Sequence, residues 1–148
     1  MNIFVTDQSP RESAKVLPDK HIVKMPLETC QMAAVILSDW HWGWGEIHKF
    51  DARGLRTGVY STKGGGFRHH PCTLWAAKST TNFAWMLTHG FDLMDEYTRR
   101  YGKQHGCFRT LCDAMAVFHN ESQMRPPAER WHLNDAVNAT DFAFAGPD

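Results

Sequence analysis

The densest chemistry in this 148-residue chain lies in the run Asp19-Lys20-His21-Ile22-Val23-Lys24-Met25-Pro26-Leu27-Glu28. On a helix turning about 100° per residue, His21 and Glu28 point within about 20° of each other, two turns or about 10.5 Å apart along the axis. Lys24 falls between them on that face. A histidine, an amine and a carboxylate aimed one way, beside Met25 and Met32 on the adjoining apolar stripe, can form a partly buried polar site. The same spacing suits a solvated face on which Lys20 and Lys24 balance Glu28 through i,i+4 pairing. Spacing alone leaves both readings open.

A second pattern is basic and aromatic. Lys49, Arg53, Arg56, Lys63 and Arg68 stand against one acid, Asp51, and interleave with Phe50, Tyr60 and Phe67. Cations hold phosphates, rings stack on bases, and glycines let backbone amides approach an anion closely. Arg99, Arg100, Lys103 and Arg109 form another basic segment with no acid among them. Either segment reads equally well as solvated charge unless folding joins them. Trp40, Trp42 and Trp44 can be a stacking platform or the plug at one end of a core. His69-His70-Pro71-Cys72 and Cys107-x4-Cys112, with His105, contain metal-ligand types, but their spacing matches no zinc ribbon or finger. Neither a metal nor another cofactor is expected. The absence of Walker, G-x-G-x-x-G and G-x-S-x-G sequences disfavours nucleotide kinases and α/β-hydrolases.

The elements that must position these groups are mostly helical. Ser9-Pro10-Arg11-Glu12 is a capping box that starts a short helix ending before Pro18. Asp19 is placed to cap a second helix to about Leu37, with Ile22, Met25, Thr29, Met32, Ala33 and Ile36 on its apolar face and a bend at Pro26. Residues 3–6 suit a short extended start. From Trp40 to His70 the helical period disappears and seven of the eleven glycines occur, which predicts a hairpin near Val59-Tyr60 or a functional loop. Helix returns at Pro71, then from Ser79 or Thr80 to a glycine stop at Gly102, around Phe108 to Phe118, and more weakly around Ala128 to Val137.

The length suits one all-α domain over 1–148, a bundle of four to five helices with a Gly-rich insertion. Sixteen basic and sixteen acidic side chains cancel, so no global field draws the chain to nucleic acid. The longest apolar stretch, Met32 to Leu37, is six residues, against the ~20 that cross a bilayer. With no signal-peptide pattern, the expectation is a cytoplasmic protein with four reduced cysteines, Cys30, Cys72, Cys107 and Cys112.

Met1-Asn2-Ile3-Phe4, Ser13-Ala14-Lys15 and Asp19-Lys20-His21, with Glu28 seven residues after the histidine, resemble the start of the pyrimidine-dimer DNA glycosylase family of the phage endonuclease V type. His70-Pro71-Cys72 and Arg100-Tyr101-Gly102-Lys103 extend the likeness to uncharacterised phage-encoded relatives, which would place the protein in a host cytoplasm. The resemblance implies a compact helical enzyme whose N-terminal α-amine, here on Met1, attacks C1′ of a damaged nucleotide and forms a Schiff base that allows strand cleavage. Glu28 matches the catalytic carboxylate, and His21 the histidine beside it, with Lys24 nearby. DNA or a nucleotide is the implied partner. Lys20, Arg53, Arg56, Lys63, Arg68, His70 and Lys103 are the candidate substrate contacts, and Trp85, Tyr97 and Tyr101 the candidate base pocket. Neutral charge and Leu27 just before the glutamate favour a second reading, a non-catalytic module on the same fold that binds a nucleotide or a host protein.

Overall fold

The computed structural model describes residues 8–125. They form five helices and one two-stranded antiparallel sheet. Helix α1 spans Pro10–Lys15, with the Ser9 hydroxyl accepting from the Glu12 amide at 3.3 Å and Pro10 in the first turn, where a missing amide hydrogen costs nothing. Helix α2 runs unbroken from Asp19 to Leu37 with Pro26 inside it. The proline removes one backbone hydrogen bond, but Ile22, Met25, Thr29, Met32, Ala33 and Ile36 are all buried, and that packing sustains the helix. Pro18, not Asp19, is the N-cap of α2. Asp19 is not used as a cap because its carboxylate accepts from Arg100 Nη1 at 2.9 Å instead.

The Gly-rich segment contains the hairpin, β1 (His48–Phe50) paired with β2 (Arg56–Val59), with a bulge between Lys49 and Phe50. Helix α3 spans Pro71–Ala77, and the ring nitrogen Nδ1 of His70 caps it by accepting from the Cys72 amide at 3.1 Å. Helix α4, Thr80–Tyr101, starts at the Ser79 cap and stops at Gly102, whose φ of 72° is the left-handed conformation glycine adopts without strain. Helix α5 runs from Phe108 past Phe118 to Met124. The expected extended start at 3–6 and the helix around Ala128 to Val137 lie outside the described residues.

Helix α4 is the central strut, with α1, α2, α3 and α5 all against it. It is approached closely at Gly90, where a Cβ would lie 2.8 Å from both Thr29 Cγ2 on α2 and Leu111 Cδ2 on α5. Around this crossing Met32, Ile36, Phe83, Met86, Leu87 and Leu111 are fully buried. Trp42 and Trp44 lie 4.6 Å apart by ring centroid and pack with Phe83 and Phe118, so these two tryptophans plug the core. Trp40 is 44% exposed and does not join them. The hairpin docks on α5 through Asp113, which accepts from the His48 amide at 2.8 Å and lies 3.6 Å from Arg56 Nη2.

An ionic clip closes the α1–α2 corner on the end of α4. Arg100 donates to the Leu17 and Lys15 carbonyls, to Asp19 and to Glu96, while Arg99 makes two further bonds to Glu96 at 2.8 and 2.7 Å. Hydrogen bonds from Arg99, then from Arg100, hold the Glu96 carboxyl down at about 2.

Gly90→Ala forces a methyl into the helix crossing, which overpacks a filled core. We expect a loss of about 1–3 kcal/mol in urea unfolding, with helical content retained.

Candidate active site

Glu28 is only 7% exposed, so the solvated-face reading does not hold for it. It sits beside Thr29 at the crossing with α4, with Met25 and Met32 buried on the neighbouring stripe. Lys20 and Lys24 are exposed on the same helix, and His21 is half-buried. Helix α2 thus presents a buried carboxylate at the edge of its core face, with an imidazole and amines at the border with solvent. Gln31, one turn on from Glu28, lines a small cleft of about 170 Å³ with Val35, Tyr60, Lys63, Gly64 and Phe67. Helix α2 therefore meets the Gly-rich loop at Gln31 and Val35.

Two α4 side chains hold the beginning of the described chain. Trp85 donates its indole N–H to the Gln8 carbonyl at 2.8 Å, and His89 Nδ1 is 3.0 Å from the Pro10 carbonyl, which makes that nitrogen the protonated one in the neutral ring. The two rings stack at 4.9 Å. Burial pushes the His89 pKa down to about 4, although its bond to Pro10 favours the charged form. Trp85 and His89 are one turn apart and lie next to Gly90, so one helix fixes both the Gln8–Pro10 segment and the α2 crossing that carries Glu28.

The Gly-rich loop is built around an Arg–Trp stack. The Arg68 guanidinium lies 4.6 Å from the Trp40 ring and donates to the Gly64 and Gly65 carbonyls, while the Trp40 indole donates to Thr62 at 2.6 Å. A wider cleft of about 550 Å³ opens beyond it, lined by Asp39, Trp40, Glu46, Tyr60, Thr62 and Lys63 among others. Burial, with the Cys30 and Cys107 thiols adding to it, pushes the Tyr60 phenol up to about 12, so it enters neutral solution as a hydrogen-bond donor. The wide cleft lies at the Leu37 end of α2, about 14 Å along the axis from Glu28. The small cleft meets α2 at Gln31 and Val35, one and two turns beyond Glu28.

A family model for pyrimidine dimer DNA glycosylase matches residues 1–109. The chain belongs to the pyrimidine dimer DNA glycosylase family. No curated protein and no solved structure matches it. Its function is of the DNA glycosylase type, in DNA repair, with DNA as substrate. Within the described residues no helix is long and apolar enough to cross a membrane, and no three His, Cys, Asp or Glu side chains gather as metal ligands.

In this member of the glycosylase family the remaining sequence candidates fall in several places. Met1 lies outside the described residues. Lys63 and Arg68 share the loop beside the small cleft. Arg53 is at the exposed hairpin turn beside Asp51, and Arg56 is turned toward Asp113 on α5. His70 caps α3, and Trp85 is held by Gln8. Tyr97 packs on Tyr101 and on the edge of His105, whose Nε2 bonds the Val23 carbonyl. Tyr97 also packs against the cluster of Ile22, Met25 and Leu93, and Tyr101 is exposed at the end of α4. Lys103 is exposed just past the end of α4.

Sequence reasoning missed three features. His89 is one of nine histidines and stands out only once its partner at Pro10 is known. Gln31 was legible as one turn beyond Glu28. The Cys30 thiol donates to the Cys107 carbonyl at 3.9 Å across 77 residues, a pairing no spacing rule reveals. That hydrogen-bonded pair, with His105 adding to it against the cost of burial, holds the Cys107 thiol well below its ordinary value, while Cys30 is pushed well above.

His89 sets an acid limit on the site. Above pH 6.5 the ring is neutral both folded and unfolded; between 6.5 and about 4 the unfolded chain takes up a proton that the folded one does not. Stability should therefore fall by roughly 2 kcal/mol from pH 7.5 to pH 5, ahead of the Glu96 transition. Urea unfolding at the two pH values should show this loss, and His89→Gln should remove most of the difference.

Proposed function

We propose that this protein is a DNA glycosylase with lyase activity in which the α-amine of Met1 is the nucleophile and Glu28 the catalytic carboxylate. The observation that carries the reading is the burial of Glu28, the residue before the Thr29 that packs on Gly90 of α4, the helix whose Trp85 binds Gln8. Gln8 is tied to a residue five positions before Gly90, about 7.5 Å along α4, and packed helices lie about 8–10 Å apart. The seven residues ahead of Gln8 can span up to about 25 Å. The chain is thus long enough to carry its amine to the carboxylate.

In the reaction the amine lone pair attacks C1′ of the damaged nucleotide, and the base leaves with the electrons of the N-glycosidic bond. Glu28 takes the proton shed by the attacking amine and delivers it to the sugar-ring oxygen, the ring opens and a protonated imine forms between C1′ and the amine, while the departed base takes a proton from water. Removal of a C2′ proton then expels the 3′ phosphate by β-elimination. An α-amine with an ordinary pKa of about 7.7–8.0 is partly neutral at physiological pH, so it needs no further activation. A carboxylate in a nearly dry setting exchanges protons with the ring oxygen without competition from water. Lys24 lies one turn before Glu28 and contributes charge toward the phosphates, as do Lys20 and Lys63, while His21 stands two turns before it on the same helix.

The net charge of zero and Leu27, 42% exposed just before Glu28, favour a second reading in which the fold binds a nucleotide or a host protein without turnover.

Borohydride trapping on an abasic-site duplex tests the chemistry. We expect a covalent adduct that disappears when the N-terminus is acetylated, and strand cleavage lowered about 10²-fold or more in Glu28→Gln. No adduct at large enzyme excess, together with saturable nucleotide binding by calorimetry, establishes the binding reading instead.

A further inference from the structure

We propose that Cys107 and Cys30 form a peroxide-reactive thiol pair, in which Cys107 is the site of oxidation and Cys30 the thiol that closes it into a disulfide tying the start of α5 to α2. This modification site goes beyond the glycosylase reading and does not depend on the role Glu28 plays.

Spacing groups Cys107 with Cys112, but the fold gives it a different partner. Cys112 is exposed on α5, whereas Cys107, the N-cap residue of α5, is half-buried. The segment leading into α5 is fixed to α2 at two points. His105 accepts from the Cys107 amide through Nδ1 at 3.1 Å, so its other nitrogen carries the proton, and Nε2 donates to the Val23 carbonyl at 2.8 Å. Two turns further along α2, the fully buried Cys30 thiol donates to the Cys107 carbonyl at 3.9 Å, and the two thiols hydrogen-bond each other. An imidazole clamp and a sulfur contact thus hold together two cysteines 77 positions apart in sequence. Gly106, between the clamp and the thiol, borders open space, since a Cβ there would meet no atom within 4 Å, and a small oxidant reaches the segment from that side.

The two sulfurs are fitted to different steps. The hydrogen bond from Cys30, with His105 adding to it against the cost of burial, favours the thiolate of Cys107, which is the reactive form. The same bond and burial keep Cys30 a thiol. With a hydroperoxide, the Cys107 thiolate attacks the terminal oxygen, the O–O bond breaks, the sulfur is oxidised to a sulfenic acid, and the departing oxyanion takes a proton from water. A neutral sulfenic acid no longer opposes ionisation of Cys30. The Cys30 sulfur then attacks the Cys107 sulfur, the S–O bond breaks, and the thiol proton leaves with the hydroxide as water. Two equivalents of a small thiol reverse the bond and become a disulfide themselves. Cys30 follows the Thr29 that packs on Gly90, and Leu111, which packs there too, is one turn into α5 from Cys107. The cross-link therefore joins the two helices that meet on α4.

The reduced full chain is treated with a small excess of hydrogen peroxide and mapped by peptide mass spectrometry, with melting temperatures taken before and after. We expect an intramolecular Cys30–Cys107 disulfide, a chain lighter by two hydrogens, formed at least about tenfold faster than any oxidation of the exposed Cys112, and a raised melting temperature that returns to its starting value with dithiothreitol. Cys30→Ala should stop at a sulfenic acid on Cys107, captured by dimedone, and Cys112→Ser should leave the rate of disulfide formation unchanged. Oxidation that begins at Cys112, or disulfide-linked dimers in place of the intramolecular bond, overturns the proposal. So does a wild type whose Cys107 accumulates as sulfenic or sulfinic acid without joining Cys30, and this wild-type map decides the matter even where a variant fails to fold. No readout involves DNA, so the result is separate from that of the glycosylase reading.

Discussion

The crossing of α2 over α4 at Gly90 is the constraint on which the other features depend. With no side chain at position 90, Thr29 and Leu111 approach the α4 backbone from two helices at once. That contact sets the depth at which α2 lies and brings Glu28, the residue before Thr29, out of water. The same strut binds Gln8 and Pro10 through Trp85 and His89 and the α1–α2 corner through Glu96 and Arg100. A shift of α4 would therefore disturb the carboxylate and the anchored beginning of the chain together. A helix that carries so many dependent contacts is a suitable base for a site whose reacting groups come from separate parts of the sequence.

The zero net charge takes on a different meaning once the partners are known. Arg100 and Arg56 join elements of the fold through Asp19 and Asp113, and Arg99 pairs with Glu96 within α4. Lys20 and Lys24 on α2 and Lys63 on the loop are exposed. A chain with equal numbers of acids and bases can still offer a locally cationic stretch, because charges that sum to zero can be unevenly placed over the surface. Binding to DNA would then depend on a short row of lysines and on stacking more than on a long-range field.

The helices were legible because their signals are local. Ser9, Ser79, Gly102 and the apolar spacing of α2 act within one or two turns, and the structure uses each of them as expected. Asp19 was legible as a cap only in the absence of Arg100, 81 residues away, which competes for its carboxylate. At Pro26 the helix continues although one backbone hydrogen bond is lost, because the face around it is buried. In the Trp40 to His70 segment the sequence indicated a hairpin, but not that Trp42 and Trp44 enter the core while Trp40 stays outside to hold Arg68. Three tryptophans in alternating positions look alike until Phe83 and Phe118 arrive from distant helices.

The sequence by itself determined the family, the helical class, the ends of the principal helices and the shared face of His21, Lys24 and Glu28, since all of these follow from residue types at short range. Only the tertiary structure decided that Glu28 is buried, that Arg100 serves the scaffold, that Tyr97 and Tyr101 pack on each other, and that Phe67 takes a left-handed backbone conformation while exposed. Each of these depends on which surfaces meet across tens of residues. Burial and ion pairing are properties of that meeting, and a linear pattern specifies the faces available without specifying which of them will touch.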